Sequence, residues 1–364
     1  MFGDLDVDRR PLVLIWEVTQ ACGLACRHCR ADAKPTRHPD ELTTAEGKRL
    51  LEDATAFGDG QLVVLSGGDP LAREDLLELV SHGDDLGHRM TITPSGTASL
   101  TPDRVEALAD AGIQRMALSL DGATRERHDR FRGEESFEDT LAAARAAREV
   151  GLPLQVNTTV CAETVDDLSA IRDRVRELDA VLWSVFFLVP VGRGRILDPI
   201  PPERAEAVMG WLHDVAEAER FGVKTTEAPF YRRVGLQRDA DGGTARRRGG
   251  ITAGRGFAFV SHTGETYPSG FLPKSAGNVR DRSVVDIYRD SELFESLRDP
   301  DGFAGKCGAC EFRQVCGGSR SRAFAATGDP TGSDPLCPYV PEGYEGELPE
   351  TLTDEEPSAR NPAD

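Results

Sequence analysis

Apolar positions along residues 12–221 alternate between short continuous runs and longer segments with helical spacing. The runs predict strands at Leu12–Val18, Leu62–Ser66, Met90–Thr93, Arg115–Leu120, Leu154–Val160 and Val181–Val189. Helix starts lie between them: Thr43 with Glu46 and Ser136 with Asp139 read as capping boxes, and Thr101 precedes Pro102 at a first helical position. The order is six βα units. The run Val181-Leu182-Trp183-Ser184-Val185-Phe186-Phe187-Leu188-Val189 is apolar almost throughout, as in a parallel strand covered on both faces. The expected fold class is therefore α/β, a barrel or partial barrel with ligands at the C-terminal strand ends.

Beyond Phe221 the pattern changes. A glycine- and arginine-rich stretch, Asp241 to Gly256, reads as a linker or loop. Phe257-Ala258-Phe259-Val260, a turn at Thr263-Gly264-Glu265, and Thr266-Tyr267-Pro268 read as a β-hairpin, followed by a cysteine-rich segment. The expected organisation is an N-terminal extension at 1–10, a barrel at 11–222, a linker at 223–255, a small module at 256–340 and an acidic disordered tail at 341–364. There is no internal repeat.

The net charge of the 364 residues is −19, and lysine is scarce: Lys34, Lys48, Lys224, Lys274 and Lys306 are the only five among 43 basic residues. Such a surface repels phosphate backbones and anionic lipid, which excludes nucleic acid and membrane surfaces as natural partners. It matches the balance of proteins from salt-loving organisms. No window approaches the roughly 20 apolar residues of a membrane span, and no apolar leader precedes Pro11. The expected location is the cytoplasm.

There the eight cysteines read as metal ligands rather than disulfides. Cys161 stands alone at the end of an apolar run and reads as core. Cys22, Cys26 and Cys29 lie in a loop directly after the first strand. Three thiolates leave one iron of a four-iron cluster open to an external ligand, whereas structural zinc takes four protein ligands and only His28 stands nearby. Cys307, Cys310, Cys316 and Cys337 form a closed set of four, which by itself fits zinc as well as iron–sulfur.

The loop Cys22-Gly23-Leu24-Ala25-Cys26-Arg27-His28-Cys29 resembles the Cys-x3-Cys-x2-Cys signature of the radical S-adenosylmethionine (SAM) superfamily, over about residues 10–220. The resemblance implies a partial (β/α)6 barrel whose 4Fe–4S cluster binds SAM and reductively cleaves it to a 5'-deoxyadenosyl radical. Gly67-Gly68-Asp69-Pro70 resembles the family's Gly-Gly-Glu-Pro, with Asp69 in place of Glu, which implies a SAM methionine site. Ser119, Asp121 and Asn157 resemble positions that contact SAM, and His28 stands where the family often sets a ring against adenine. The C-terminal cysteines resemble a SPASM or twitch extension holding one auxiliary 4Fe–4S cluster. The further cysteines of a full SPASM module are missing, since Pro268 is followed by Ser269.

Trp16-Glu17-Val18-Thr19 and His28-Cys29-Arg30-Ala31 resemble the branch that makes heme and heme d1. This implies a small-molecule substrate, a porphyrin, with Arg193 or Arg195 as candidate partners of its carboxylates, and an electron donor such as ferredoxin or flavodoxin. The alternatives are a SPASM-type peptide maturase, which usually carries a recognition domain with no room before Pro11, and a non-catalytic metal-binding protein. No general acid or base stands out.

Overall fold

The structure is a computed structural model that describes residues 6–133, 135–238 and 250–350. Nine strands form one sheet: β1 (Val13–Glu17), β2 (Leu62–Ser66), β3 (Arg89–Ile92), β4 (Arg115–Ser119), β5 (Leu154–Val160), β6 (Leu182–Phe187), β7 (Gly222–Thr226), β8 (Phe257–Val260) and β9 (Thr266–Tyr267). The spatial order is β7-β6-β5-β4-β3-β2-β1-β8-β9. Strands β1 to β7 run parallel in chain order, as right-handed βα units dictate, and this gives the curled half-barrel. Leu14, Trp16, Val63, Leu65, Met116, Leu118, Val156, Trp183 and Val185 join the core under the helices. Their alternate neighbours therefore face the barrel interior.

The helices packed on the outside are α1 (Thr44–Ala54), α2 (Leu76–Asp85), α3 (Pro102–Asp110), α4 (Arg125–Arg132), α5 (Ser136–Glu149), α6 (Leu168–Glu177), α7 (Pro202–Ala218) and α8 (Tyr231–Arg238). Thr43 and Glu46 form the expected capping box, and Thr101 caps α3 with Pro102 in its first turn. Ser136 does not cap α5. It lies inside the helix, and the cap position is Glu135 at φ 66°. The Ser136 hydroxyl donates instead to the Gly133 carbonyl at 2.9 Å.

Two expectations need correction. The segment 223–255 is not simply a linker: β7 and α8 lie at its start, and β7 extends the parallel sheet beyond β6. Polar Gly222-Val223-Lys224-Thr225-Thr226 on an edge strand carries no apolar run to betray it. The hairpin β8–β9 is antiparallel as expected, but β8 also pairs parallel with β1, Val13 opposite Phe257. The cysteine module is thus joined to the barrel's own sheet. Residues 239–249 of the glycine- and arginine-rich stretch, 1–5 of the N-terminal extension and 351–364 of the acidic tail lie outside the described residues. Among the described residues no helix is long and apolar enough to cross a membrane.

Candidate metal and cofactor site

The cysteine loop leaves the C-terminal end of β1 and is held by a continuation of the β1–β2 pairing. Val18 N donates to the Ser66 carbonyl (2.8 Å), Gly68 N to Thr19 (2.8 Å) and Asp69 N to Ala21 (2.6 Å). Only glycine fits here: a Cβ on Gly68 would strike the Ala21 carbonyl oxygen, and Gly67, at φ 153°, faces that of Thr19. Asp69 Oδ1 accepts from Leu71 N (3.2 Å) and Ser95 N (3.3 Å), capping the turn that Pro70 begins. Burial pushes the Asp69 carboxyl up, and these two amides oppose the shift. Ser95 Oγ donates to the Gly68 carbonyl (3.2 Å) and lies 3.4 Å from Cys22 Sγ. Gly67-Gly68-Asp69-Pro70 and Cys22 are therefore one hydrogen-bonded unit.

Cys26 is buried, while Cys22 and Cys29 are half-buried. Burial pushes the Cys26 thiol up, Arg132 opposes the shift, and the charges of Cys29 and Cys22 add to it, so the three sulfurs lie within electrostatic reach of one another. Arg132 Nη1 donates to Asp121 Oδ2 (2.7 Å), and Asp121 Oδ1 accepts from Thr159 N (2.6 Å). The Asp121 side chain is 1% exposed and anchors Arg132. Its burial raises the carboxyl pKa, but His28, Arg132 and the Thr159 amide bring it below the ordinary value.

His28 stacks on Phe131 at 4.7 Å with 9° between the rings, so one face of the imidazole is already covered. Burial lowers its pKa to about 4 against the opposing charge of Asp121, which leaves the ring neutral at pH 7. Its Nδ1 is buried without a partner.

Arg193 was a candidate for substrate carboxylates, and the structure gives it other work. Its Nε donates to the Cys26 carbonyl (2.9 Å), and its Nη1 to the Ala33 carbonyl (3.1 Å) and Asp32 Oδ1 (3.2 Å). The Arg193 amide also donates to the Cys29 carbonyl (3.0 Å). The turn Gly192–Ile196 at the mouth of β6 thus clamps the loop from the side opposite β2. Arg195 is exposed.

The two segments singled out around the loop meet in space. Arg30 Nη1 donates to Glu17 Oε2 (2.8 Å), its guanidinium lies 4.4 Å over the Phe259 ring, and Glu17 Oε1 is 2.6 Å from His262 Nδ1. Burial would raise the Glu17 pKa, but Arg30 and His262 hold it lowered. The part played by His262 carried no signal in the sequence, since 245 residues separate it from Glu17.

Ser119 and Asn157 are opposite each other on β4 and β5, and the row continues through Ser184 on β6 to Lys224 on β7. All four face the barrel interior by alternation. Asn157 Oδ1 accepts from Gln155 Nε2 (2.7 Å).

The other four cysteines are gathered below α8. Cys307 Sγ accepts from Asp334 N (3.4 Å), Cys316 Sγ from Gly318 N (3.4 Å) and Cys337 Sγ from Arg233 Nη2 (3.8 Å). Burial and neighbouring thiolate charge push Cys316 far up, and burial raises Cys337 to about 11 despite Arg233. Thiols in such surroundings ionise when a metal supplies the compensating charge. Asp334 also binds Arg322 (3.0 Å) in a fully buried ion pair. Ser269, where a further cysteine was missing, donates to Glu227 Oε1 (3.0 Å), which also accepts from Ser321 (2.8 Å), while Ser319 donates to Oε2 (2.5 Å). A carboxylate with three hydroxyls fills that position.

All eight cysteines are free of disulfides, and Cys161 sits at 0% exposure with Phe131, Leu188 and Leu197. Among the described residues no three Cys, His, Asp or Glu side chains converge on a single-ion position. The donor chemistry fits iron–sulfur clusters at both places: soft thiols, donors aimed at the sulfurs, and unpartnered Arg193 Nη2 and His28 Nδ1 beside the first loop.

A model of the radical SAM superfamily matches residues 16–175. The chain is 39% identical over 341 residues to the AdoMet-dependent heme synthase of Methanosarcina barkeri, covering 91% of this chain and 97% of that one. It is 31% identical over 340 residues to the PqqA peptide cyclase of Bradyrhizobium diazoefficiens, covering 91% and 87%. Its fold is similar to that of Streptococcus suis SuiB bound to S-adenosylmethionine, with a TM-score of 0.71 and 18% identity over 91% of this chain and 78% of that one.

Proposed function

Because the chain belongs to the radical SAM superfamily, we propose that it is an enzyme with two 4Fe–4S clusters that modifies the side chains of a tetrapyrrole in heme-type cofactor biosynthesis. The observation that carries the substrate class is the match to a heme synthase along 97% of that protein's length. In this reading Cys22, Cys26 and Cys29 hold the first cluster, with Gly67, Gly68, Asp69 and Pro70 offering backbone polar groups to SAM. Ser119 and Asn157 line the same interior. A cluster held by those three cysteines would supply one-electron reductive cleavage of SAM and so hydrogen abstraction from the substrate.

The chain's own contribution is positioning. Arg193 and the Gly67-Gly68 crossing fix the loop from two sides. Arg132, anchored by Asp121, sets a positive charge beside Cys26 that opposes the effect of burial and favours the thiolate. Cys307, Cys310, Cys316 and Cys337 hold the auxiliary cluster. Four thiolates would leave no iron open to the substrate, and the amides that donate to Cys316 and Cys307 would suit such a cluster to electron transfer. A soluble one-electron donor such as ferredoxin or flavodoxin would feed the site, in a cytoplasm whose salt content suits the acidic surface.

The test is anaerobic incubation of reconstituted protein with reductant, SAM and iron-coproporphyrin, followed by mass spectrometry. The reading predicts 5'-deoxyadenosine together with a porphyrin lightened by side-chain loss. 5'-Deoxyadenosine with unaltered porphyrin would discard the tetrapyrrole and leave the radical chemistry, as a peptide substrate requires. No 5'-deoxyadenosine at all would leave only a metal-binding protein.

A further inference from the structure

On β4 to β7 the inward positions include Arg115, Ser119, Asn157, Ser184, Phe186, Lys224 and Thr226. Lys224 is exposed to the interior space. The groups crowded around its ammonium, with the charges of Arg115 and Arg232, lower its pKa to about 8. Arg115 is lowered by burial and by Arg89, and Arg232 by burial and Arg255 against the charge of Cys316. Arg232 donates only to the carbonyls of Val315 (3.3 Å) and Ile251 (2.9 Å).

Among the described residues no carboxylate pairs with any of these three cations. This runs against the composition, 62 acids to 43 bases. It also runs against the neighbourhood, where Arg30, Arg73, Arg132 and Arg322 each have an acid. Three cations gathered with no carboxylate partner among the described residues repel one another, and the arrangement is sensible where a ligand brings the anion. Next to them lies aromatic surface. Phe186, half-buried, shares the inward face of β6 with Ser184 and meets half-buried Phe271 at 6.3 Å between ring centroids.

Resting on the tetrapyrrole reading above, we propose that Lys224, flanked by Arg115 and Arg232, grips a carboxylate side chain of the substrate inside the barrel while the aromatic rings meet the macrocycle. The role expected for Arg193 at the strand mouth passes to this interior cluster. Lys224 contributes a single movable point charge and the two arginines exclude any cationic competitor.

The test is absorbance titration of the reconstituted holoenzyme, without reductant, with iron-coproporphyrin and with its tetramethyl ester. Lys224→Met is expected to weaken binding of the free acid by roughly tenfold or more, the loss of one charge-assisted hydrogen bond. Lys224→Arg is expected to stay near wild type, and the ester to bind wild type and Lys224→Met alike. Removing an uncompensated cation should leave the melting temperature equal or higher, which separates lost binding from lost fold. Equal affinity of Lys224→Met and wild type for the free acid would overturn the inference and leave the tetrapyrrole reading standing. So would loss of the SAM-induced change in the cluster's paramagnetic signal with porphyrin binding intact, which would assign the cations to SAM's own carboxylate. No porphyrin binding by wild type would remove the tetrapyrrole reading, and this inference with it.

Discussion

Arg193 donates from Nε to the backbone carbonyl of Cys26 across 167 positions of sequence, at 2.9 Å. The same guanidinium holds the Ala33 carbonyl, so one side chain spans the cysteine loop from its middle to its end. Arg193→Ala should free both carbonyls and let the loop open. Iron should then leave for a chelator roughly tenfold faster, as the loss of a charged hydrogen bond implies. Arg193→Lys should not restore the rate, because a point charge cannot reproduce the fork. An unchanged chelation rate in Arg193→Ala would show that the clamp is dispensable.

Two glycines close together should behave oppositely. Gly68→Ala drives a methyl into the Ala21 carbonyl, so the β1 and β2 extensions must separate, at a cost of about 1–3 kcal/mol. Gly23, inside the cysteine loop, has nothing within 4 Å of a built Cβ. Gly68→Ala should lose the SAM-induced change in the paramagnetic signal, and Gly23→Ala should keep it. Equal behaviour of the two variants would contradict the packing argument.

Acid should act through Asp75. Burial raises its carboxyl pKa, but hydrogen bonds from Arg73 (2.5 Å to Oδ2) and Thr44 (2.7 Å) win and bring it from 3.8 to about 2. A lowered folded pKa stabilises above the unfolded value. The contribution, about 2 kcal/mol at most, is present above pH 4 and is lost as pH falls through 2. Denaturant midpoints of wild type and Asp75→Asn should differ most at neutral pH and converge near pH 2. A gap that stayed constant with pH would rule the linkage out.

The buried Arg322–Asp334 pair, with both side chains at 0% exposure, ties the auxiliary module to the barrel through the carbonyls of Leu188 (3.2 Å) and Glu227 (2.7 Å). Asp334→Ala should cost about 3–5 kcal/mol because it strands a buried guanidinium. Replacing both partners by apolar residues should recover part of that loss. If denaturant unfolding gave Asp334→Ala within about 0.5 kcal/mol of wild type, a value typical of surface substitutions, the pair would be no anchor.

Much of this architecture could be read in the chain. Leu62–Ser66 and Leu154–Val160 are strands to the residue, because β-branched side chains at alternating buried positions announce themselves. The capping box at Thr43 formed, with the Glu46 carboxylate turned back to the Thr43 amide and also held by Arg280. The one at Ser136 did not, because Asp129 accepts from the Phe137 amide (2.8 Å) and takes over the helix start. Strand β7 escaped notice because its inward side chains are polar and its edge is open. The cysteines were visible through spacing alone. Their supports were not: Arg132, Glu227 and His262 reach their partners only after the sheet curls, with nothing local in sequence to mark them, and Arg193 was marked for a different role. Asp121 was legible as a residue of the site but not in its role, which depends on Arg132 lying across from it.

The measurement that bears most directly on the central claim is iron, sulfide and zinc content with electron paramagnetic resonance, on anaerobically reconstituted wild type and on a variant with Cys22, Cys26 and Cys29 changed to alanine. The account predicts about eight irons in wild type and about four in the variant, as two four-iron clusters require, with a signal that SAM alters only in wild type. Protein that takes up no iron, or a variant that keeps both its full iron and its response to SAM, would contradict it.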